Sequence, residues 1–85
     1  MPKIRIYTTR ICPYCVRAKQ LLKKKNAAYE EIDVSDDEDL RAEMTRLAGG
    51  VRTVPQIFIG ETHVGGFDEL YALERAGKLD GLMAG

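Results

Sequence analysis

Apolar and polar positions along this chain change period several times, and each change marks an element. Ile4-Arg5-Ile6-Tyr7-Thr8 alternates in steps of two and is β-branched, which predicts a strand over Lys3–Thr8. Pro13 suits a first helical position, and the pattern beyond it predicts a helix to about Lys25. Val16, Ala18, Leu21 and Leu22 form its expected core face, while Lys19, Lys23, Lys24 and Lys25 read as a solvated face and a cation-rich C-terminus. Ala28–Val34 predicts a second strand. Ser35 with Glu38 three residues on has the form of a capping box, ahead of a helix that aligns Leu40, Met44, Leu47 and Ala48 and stops at Gly49-Gly50. Val54–Ile59 and Thr62–Val64 read as a hairpin turning at Gly60-Glu61. Gly65-Gly66 breaks the second of these strands. Asp68 opens a third helix carrying Leu70, Tyr71 and Leu73 and ending near Gly77, and Leu79, Leu82 and Met83 mark a last turn that packs down.

The predicted order is β-α-β-α-β-β-α, an α/β protein. Strands separated by a helix are expected to run parallel through right-handed crossovers, and the hairpin adds an antiparallel pair. The expectation is a four-stranded mixed sheet flanked by helices. No linker, repeat or low-complexity stretch interrupts the 85 residues, so one domain spans 1–85.

Composition narrows the function classes. A chain of this size buries about 60–65% of its unfolded surface, enough for one modest core. Apolar residues make up 45% and charged residues 31%, ordinary for a globular protein. Thirteen basic and thirteen acidic residues cancel, so no global field recruits nucleic acid or a membrane surface. No apolar run reaches the roughly 18 residues of a spanning helix, and Met1-Pro2-Lys3 opens no signal-peptide core. The expectation is a cytoplasmic monomer, in a compartment where a cycling thiol pair is at home and a structural disulfide is not.

Both cysteines lie in Cys12-Pro13-Tyr14-Cys15, at the point where a strand gives way to a helix. Ahead of Pro13, Cys12 falls at the helix cap, where free N–H groups and the dipole favour thiolate, and Arg10 and Arg17 are near in sequence. Cys15 lies one turn inside, where burial favours the neutral thiol. The roles read from this are Cys12 as nucleophile and Cys15 as resolving thiol. The competing readings are an inert buried pair and half of a metal site. Structural zinc takes four ligands, and beyond the cysteines the chain offers one distant His63. No metal is expected.

Tyr7-Thr8, Cys12-Pro13-Tyr14-Cys15, Thr53-Val54-Pro55 and Gly65-Gly66-Phe67-Asp68, in that order and at these distances, resemble the glutaredoxins, within the thioredoxin fold. The resemblance covers nearly the whole chain and is nearest to the short bacterial dithiol class, the glutaredoxin 3 type. It implies glutathione-dependent reduction of protein disulfides and of glutathione mixed disulfides. It implies glutathione as reducing co-substrate and disulfide-bearing or glutathionylated proteins as partners, ribonucleotide reductase among them.

The resemblance also assigns residues. Pro55 is implied to be cis and to face the cysteines, so that Val54, after Thr53, offers its backbone to a thiol substrate as a strand edge does. Gly66, Phe67 and Asp68 are implied to hold the γ-glutamyl end of glutathione, the helix N–H groups taking a carboxylate and Asp68 the α-ammonium. Asp68 is equally a plain helix cap. Tyr14 reads as an aromatic wall, and Arg52 as a partner for the glycine carboxylate or a solvated loop residue. The chain departs from the family where many members carry lysine three residues before the first cysteine: Thr9 stands there, with Arg10 next as a substitute.

Two other readings stay open, a thioredoxin-like reductant fed by a flavoprotein reductase and an iron–sulfur cluster carrier. The Gly-Gly-Phe-Asp element weighs against the first and the Pro13-Tyr14 insert against the second. His63 reads as an exposed hairpin residue without a catalytic part. Asp33, Asp36, Asp37, Glu38 and Asp39 read as a solvated helix N-terminus.

Overall fold

The computed structural model of the chain describes residues 2–84; Met1 and Gly85, the ends of the expected domain, lie outside the described residues. The elements are β1 (Ile4–Thr8), α1 (Pro13–Lys24), β2 (Glu30–Asp33), α2 (Glu38–Leu47), β3 (Gln56–Ile59), β4 (Thr62–Gly65), α3 (Phe67–Arg75) and α4 (Leu79–Ala84). The strands form one mixed sheet in the order β2-β1-β3-β4.

Period-two alternation splits the core into two layers. Ile4, Ile6, Ile57 and Ile59 point to one face, where they meet Ala18 and Leu22 of α1, Leu70 of α3, and Leu79 and Met83 of α4. Tyr7 and Phe58 point to the other face, against Val34 and against Met44 and Ala48 at α2. Each fully buried aliphatic side chain contributes about 1.5–3 kcal/mol, so these two clusters are the main stabilising term.

Four expectations are corrected. β1 and β2 are parallel, but β3 runs antiparallel to β1, Ile4 opposite Ile59 and Tyr7 opposite Gln56, although α2 separates it from β2. A strand buried along its whole length, as β3 is, carries no direction in its pattern. Val16 is half-exposed; the buried stripe of α1 is Cys15, Ala18 and Leu22, at i, i+3 and i+7, and Val16 lies about 100° around from it. Ser35 does not cap α2. The cap is Asp37, whose carboxylate accepts from Leu40 N–H at 3.0 Å, while Ser35 Oγ accepts from Arg10 N–H at 2.9 Å. Lys19 and Lys25 are not simply solvated. Lys19 Nζ donates to Glu31 at 3.0 Å, and Lys25, with a side chain only 19% exposed, pairs with Glu74 and Asp80 at 2.9 and 2.8 Å.

Candidate thiol site and its groove

Cys12 is the N-cap of α1. Its backbone is extended, its carbonyl accepts from Val16 N–H at 3.1 Å, and Pro13 follows at the first helical position, where the missing N–H costs nothing. Its Sγ accepts from Cys15 N–H at 3.1 Å, so a helix-terminal donor already points at that sulfur. Such a donor and the helix dipole favour a thiolate at this position. The two sulfurs are joined as a Cys12–Cys15 disulfide with the Cα atoms 5.1 Å apart. The pair is asymmetric. Cys12 is half-buried, whereas Cys15 is 2% exposed and belongs to the buried stripe of α1.

Across from the cysteines, the Val54–Pro55 bond is cis, and Val54 O lies 3.8 Å from Cys12 Sγ. Pro55 is buried and leads directly into β3. Beyond this edge lies a groove of about 360 Å³. Its walls are Tyr14 on one side, Thr53, Val54 and Pro55 along the floor, and Gly65, Gly66, Phe67 and Asp68 at the far end.

The far end is built by a bulge. Ile57 pairs with Gly65 but Phe58 with His63, so Val64 is an extra residue in β4. Gly65 takes φ +115°, which bends the chain into α3. Gly66 is the N-cap of α3 and has no side chain to cap with; its own N–H donates to Glu69 Oε1 at 2.7 Å, and its carbonyl accepts the first helical bond, from Leu70 N–H at 3.1 Å. The N–H groups of Phe67 and Asp68 precede that first bond and have no intrahelical partner, and both residues line the groove.

Seven of the expected binding residues thus line one groove: Tyr14, Thr53, Val54, Pro55, Gly66, Phe67 and Asp68. Arg52 is exposed beside it, next to the lining residues Val51 and Thr53, with its carbonyl accepting from Arg41 Nη2 at 3.0 Å. Arg10 is turned elsewhere. Its guanidinium grips Asp36 in a bidentate pair, Nη1 to Oδ2 and Nη2 to Oδ1, the second at 3.1 Å. The hydrogen bond and the charge of Asp36 raise the Arg10 pKa, and in return hold the Asp36 carboxyl below its ordinary range. Asp36 is therefore paired rather than merely solvated.

Sequence reasoning missed Gln56 and His63. Gln56 is buried, and its Nε2 donates to Thr53 O at 2.9 Å, which leaves Oε1 facing His63 Nε2 at 2.7 Å. An amide oxygen only accepts, so His63 Nε2 carries a hydrogen. The His63 ring also stacks on Phe58 at 5.0 Å. His63 is exposed, as expected, but it closes a chain of hydrogen bonds that supports the Thr53 backbone. Cross-strand pairing of Phe58 with His63 was the available signal, and it requires the hairpin register.

Among the described residues, no cluster of three or more His, Cys, Asp or Glu side chains is arranged to hold a metal ion, and no helix is long and apolar enough to cross a membrane. A family model described as glutaredoxin matches residues 4–64. A glutaredoxin of Pseudomonas aeruginosa is 61% identical over 84 residues, which is 99% of each chain. Among solved structures, a glutaredoxin from Brucella melitensis superposes with TM-score 0.87 at 57% identity, covering 98% of this chain and 89% of the other. A buckwheat glutaredoxin–glutathione complex superposes with TM-score 0.88 at 31% identity, covering 98% and 77%.

Proposed function

The chain belongs to the glutaredoxin family, and is thus a thiol–disulfide oxidoreductase with the thioredoxin fold; from that premise we propose that it reduces protein disulfides and glutathione mixed disulfides at the expense of glutathione, in the cytoplasm and as a monomer. The observation that carries this reading is the groove lined by Val54, whose carbonyl lies 3.8 Å from Cys12 Sγ, and by Gly66, Phe67 and Asp68 at the N-terminus of α3. Its length offers a strand-like edge beside the sulfur and helix N–H groups at the other end. A thiol peptide with a terminal carboxylate and ammonium matches those two ends.

In the proposed mechanism, Cys12 thiolate attacks the glutathione sulfur of a mixed disulfide. The bond to the target sulfur breaks, the target leaves as thiolate and takes a proton, and a Cys12–glutathione disulfide remains. A second glutathione thiolate attacks the glutathione sulfur of that adduct, which releases Cys12 thiolate and oxidised glutathione. With a protein disulfide, Cys12 attacks first, and Cys15, once deprotonated, attacks the Cys12 sulfur. The target departs as a dithiol, and two glutathiones reduce the Cys12–Cys15 disulfide. Val54 holds the thiol peptide's backbone, Gly66 and the N–H groups of Phe67 and Asp68 take its γ-glutamyl carboxylate, Asp68 takes its ammonium, and Tyr14 and Phe67 wall the groove. Arg52 serves the second carboxylate. Arg10, committed to Asp36, is left out of the site.

The test is glutathione-coupled turnover of a small glutathione mixed disulfide and of a protein disulfide. Cys12→Ser is expected to lose both activities. Cys15→Ser is expected to keep the first and lose the second. Reduction that runs on a flavoprotein thioredoxin reductase and not on glutathione would sink the proposal.

A further inference from the structure

From the rim of the groove outward, an aromatic ladder crosses from α1 to α3. Tyr14 lies 6.5 Å from Phe67, and Phe67 stacks on Tyr71 at 5.8 Å with the planes 16° apart. Tyr14 and Tyr71 are 52% and 47% exposed, so about half of each residue stays open to solvent. Each end carries a guanidinium. Arg17 lies 5.5 Å over the Tyr14 ring and Arg75 lies 5.9 Å over the Tyr71 ring. Stacking fixes the position of such a cation while its N–H edge stays available.

Both cations on this face are unpaired: among the described residues neither Arg17 nor Arg75 has a carboxylate within ion-pair distance. The acids of α3 are used elsewhere: Glu69 accepts from Gly66 N–H, Glu74 pairs with Lys25, and Asp68 lines the groove. Tyr14 and Phe67 belong both to the groove and to the ladder, so the two surfaces are continuous. Tyr71, Arg17 and Arg75 do not line the groove.

We infer that this ladder is the docking surface for protein substrates, and that it selects segments with acidic side chains flanking the cysteine to be reduced. The inference rests on the proposed glutathione-dependent reaction and adds to it a rule for target choice. A target whose cysteine enters over Cys12 lays its flanking chain along Tyr14, Phe67 and Tyr71. Carboxylates along that flanking chain then meet Arg17 and Arg75. Exposed opposite charges of this kind act mainly on encounter and orientation, and their effect weakens with salt.

The probe is a pair of short peptides, each with its single cysteine disulfide-linked to glutathione. They are identical except that the flanking residues are aspartate in one and lysine in the other. For the full chain in glutathione-coupled turnover, kcat/KM is expected to favour the acidic peptide about 5- to 10-fold at low salt, and the preference is expected to shrink towards unity at about 0.5 M salt. Arg75→Glu is expected to abolish most of the preference, and Tyr71→Leu to weaken it. Both variants are expected to reduce the cysteine–glutathione mixed disulfide at the wild-type rate. Equal rates on the two peptides, a preference for the lysine peptide, or a preference untouched by Arg75→Glu would overturn the docking surface. Wild type inert towards the cysteine–glutathione disulfide would instead overturn the glutathione reading itself.

Discussion

At Gly65 a single missing carbon atom holds the far end of the groove open. Its φ of +115° belongs to the region that side chains avoid, and a Cβ built there would lie 2.8 Å from Glu69 Oε1 and 3.1 Å from Glu69 Cγ. That same carboxylate accepts the Gly66 N–H at the helix cap. Gly65→Ala therefore strains the backbone and displaces the group that orders the binding end. We expect a loss of about 1–3 kcal/mol in urea unfolding, with KM for glutathione raised more than kcat is lowered. Measuring Gly65→Ala in the wild-type and in the Glu69→Ala background separates the two effects, because Glu69→Ala removes the Oε1 and Cγ collision and leaves the strained φ; an equal cost in both backgrounds would assign it to the backbone. Residues whose surroundings are local were legible from sequence alone. The asymmetry of Cys12 and Cys15 follows from their places on one helix turn, and the Gly-Gly step announces a close backbone approach. Arg10 was not legible. Proximity in sequence put it beside Cys12, but its partner Asp36 lies 26 residues away and becomes a neighbour only when β2 pairs with β1.

Elements were legible where a period was strict, and less so where tertiary partners decided. Ala18 and Leu22 of α1 and the α2 face of Leu40, Met44 and Leu47 follow the expected helical spacing, whereas Val16, expected on the same face of α1, is half-exposed and Cys15 takes its place in the buried stripe. The caps and charges did not follow from spacing, since Asp37 outcompeted Ser35 once Ser35 had turned its hydroxyl to Arg10 N–H. Lys25 is the clearest case. Placed at the C-terminal end of α1, it reads as a dipole partner, yet it ties α1 to α3 through Glu74 and to α4 through Asp80. Hydrogen bonds from Lys25 to Asp80 and then to Glu74 raise its pKa. A pKa higher in the folded state means that the tie contributes fully below the ordinary lysine pKa and is lost as pH rises through the folded value. Lys25→Met is thus expected to lower Tm at neutral pH, and the gap to wild type is expected to close under strongly alkaline conditions. Thermal unfolding of both proteins from pH 7 upward checks this, and a gap that widened with pH would reverse the sign of the argument.

At the scale of the whole molecule, alternation specified which residues form the two layers, but strand direction needed the sheet itself. β2 shows what then holds an edge strand in place. Its pattern is largely exposed, so beside the backbone ladder to β1 and the partly buried Ile32, its carboxylates carry the side-chain ties. Glu31 accepts from Thr8 Oγ1 of β1 at 2.8 Å and from Lys19 of α1 at 3.0 Å. Burial alone would push its carboxyl up, but the Lys19 and Thr8 hydrogen bonds outweigh that and the net shift is downward. Asp33 is lowered by the Ser35 hydroxyl and N–H, and Asp36 by Arg10. All three acids bind protons more weakly folded than unfolded, so the stability they contribute is complete above the usual carboxylate range. It drains as pH falls from about 4.5 through their lower folded values. We expect the urea midpoint to be flat from neutrality to about pH 5 and to fall steeply below that. Glu31→Gln should flatten the fall by less than about 1 kcal/mol, because its side chain is 38% exposed and the ion pair is screened. In hydrogen exchange at pH 3, the amides that pair β2 with β1 are expected to lose protection before those that pair β1 with β3, since the carboxylate ties of Glu31 to Thr8 and Lys19 brace the outer ladder. Simultaneous loss across the sheet would show that the acid limb has its origin elsewhere.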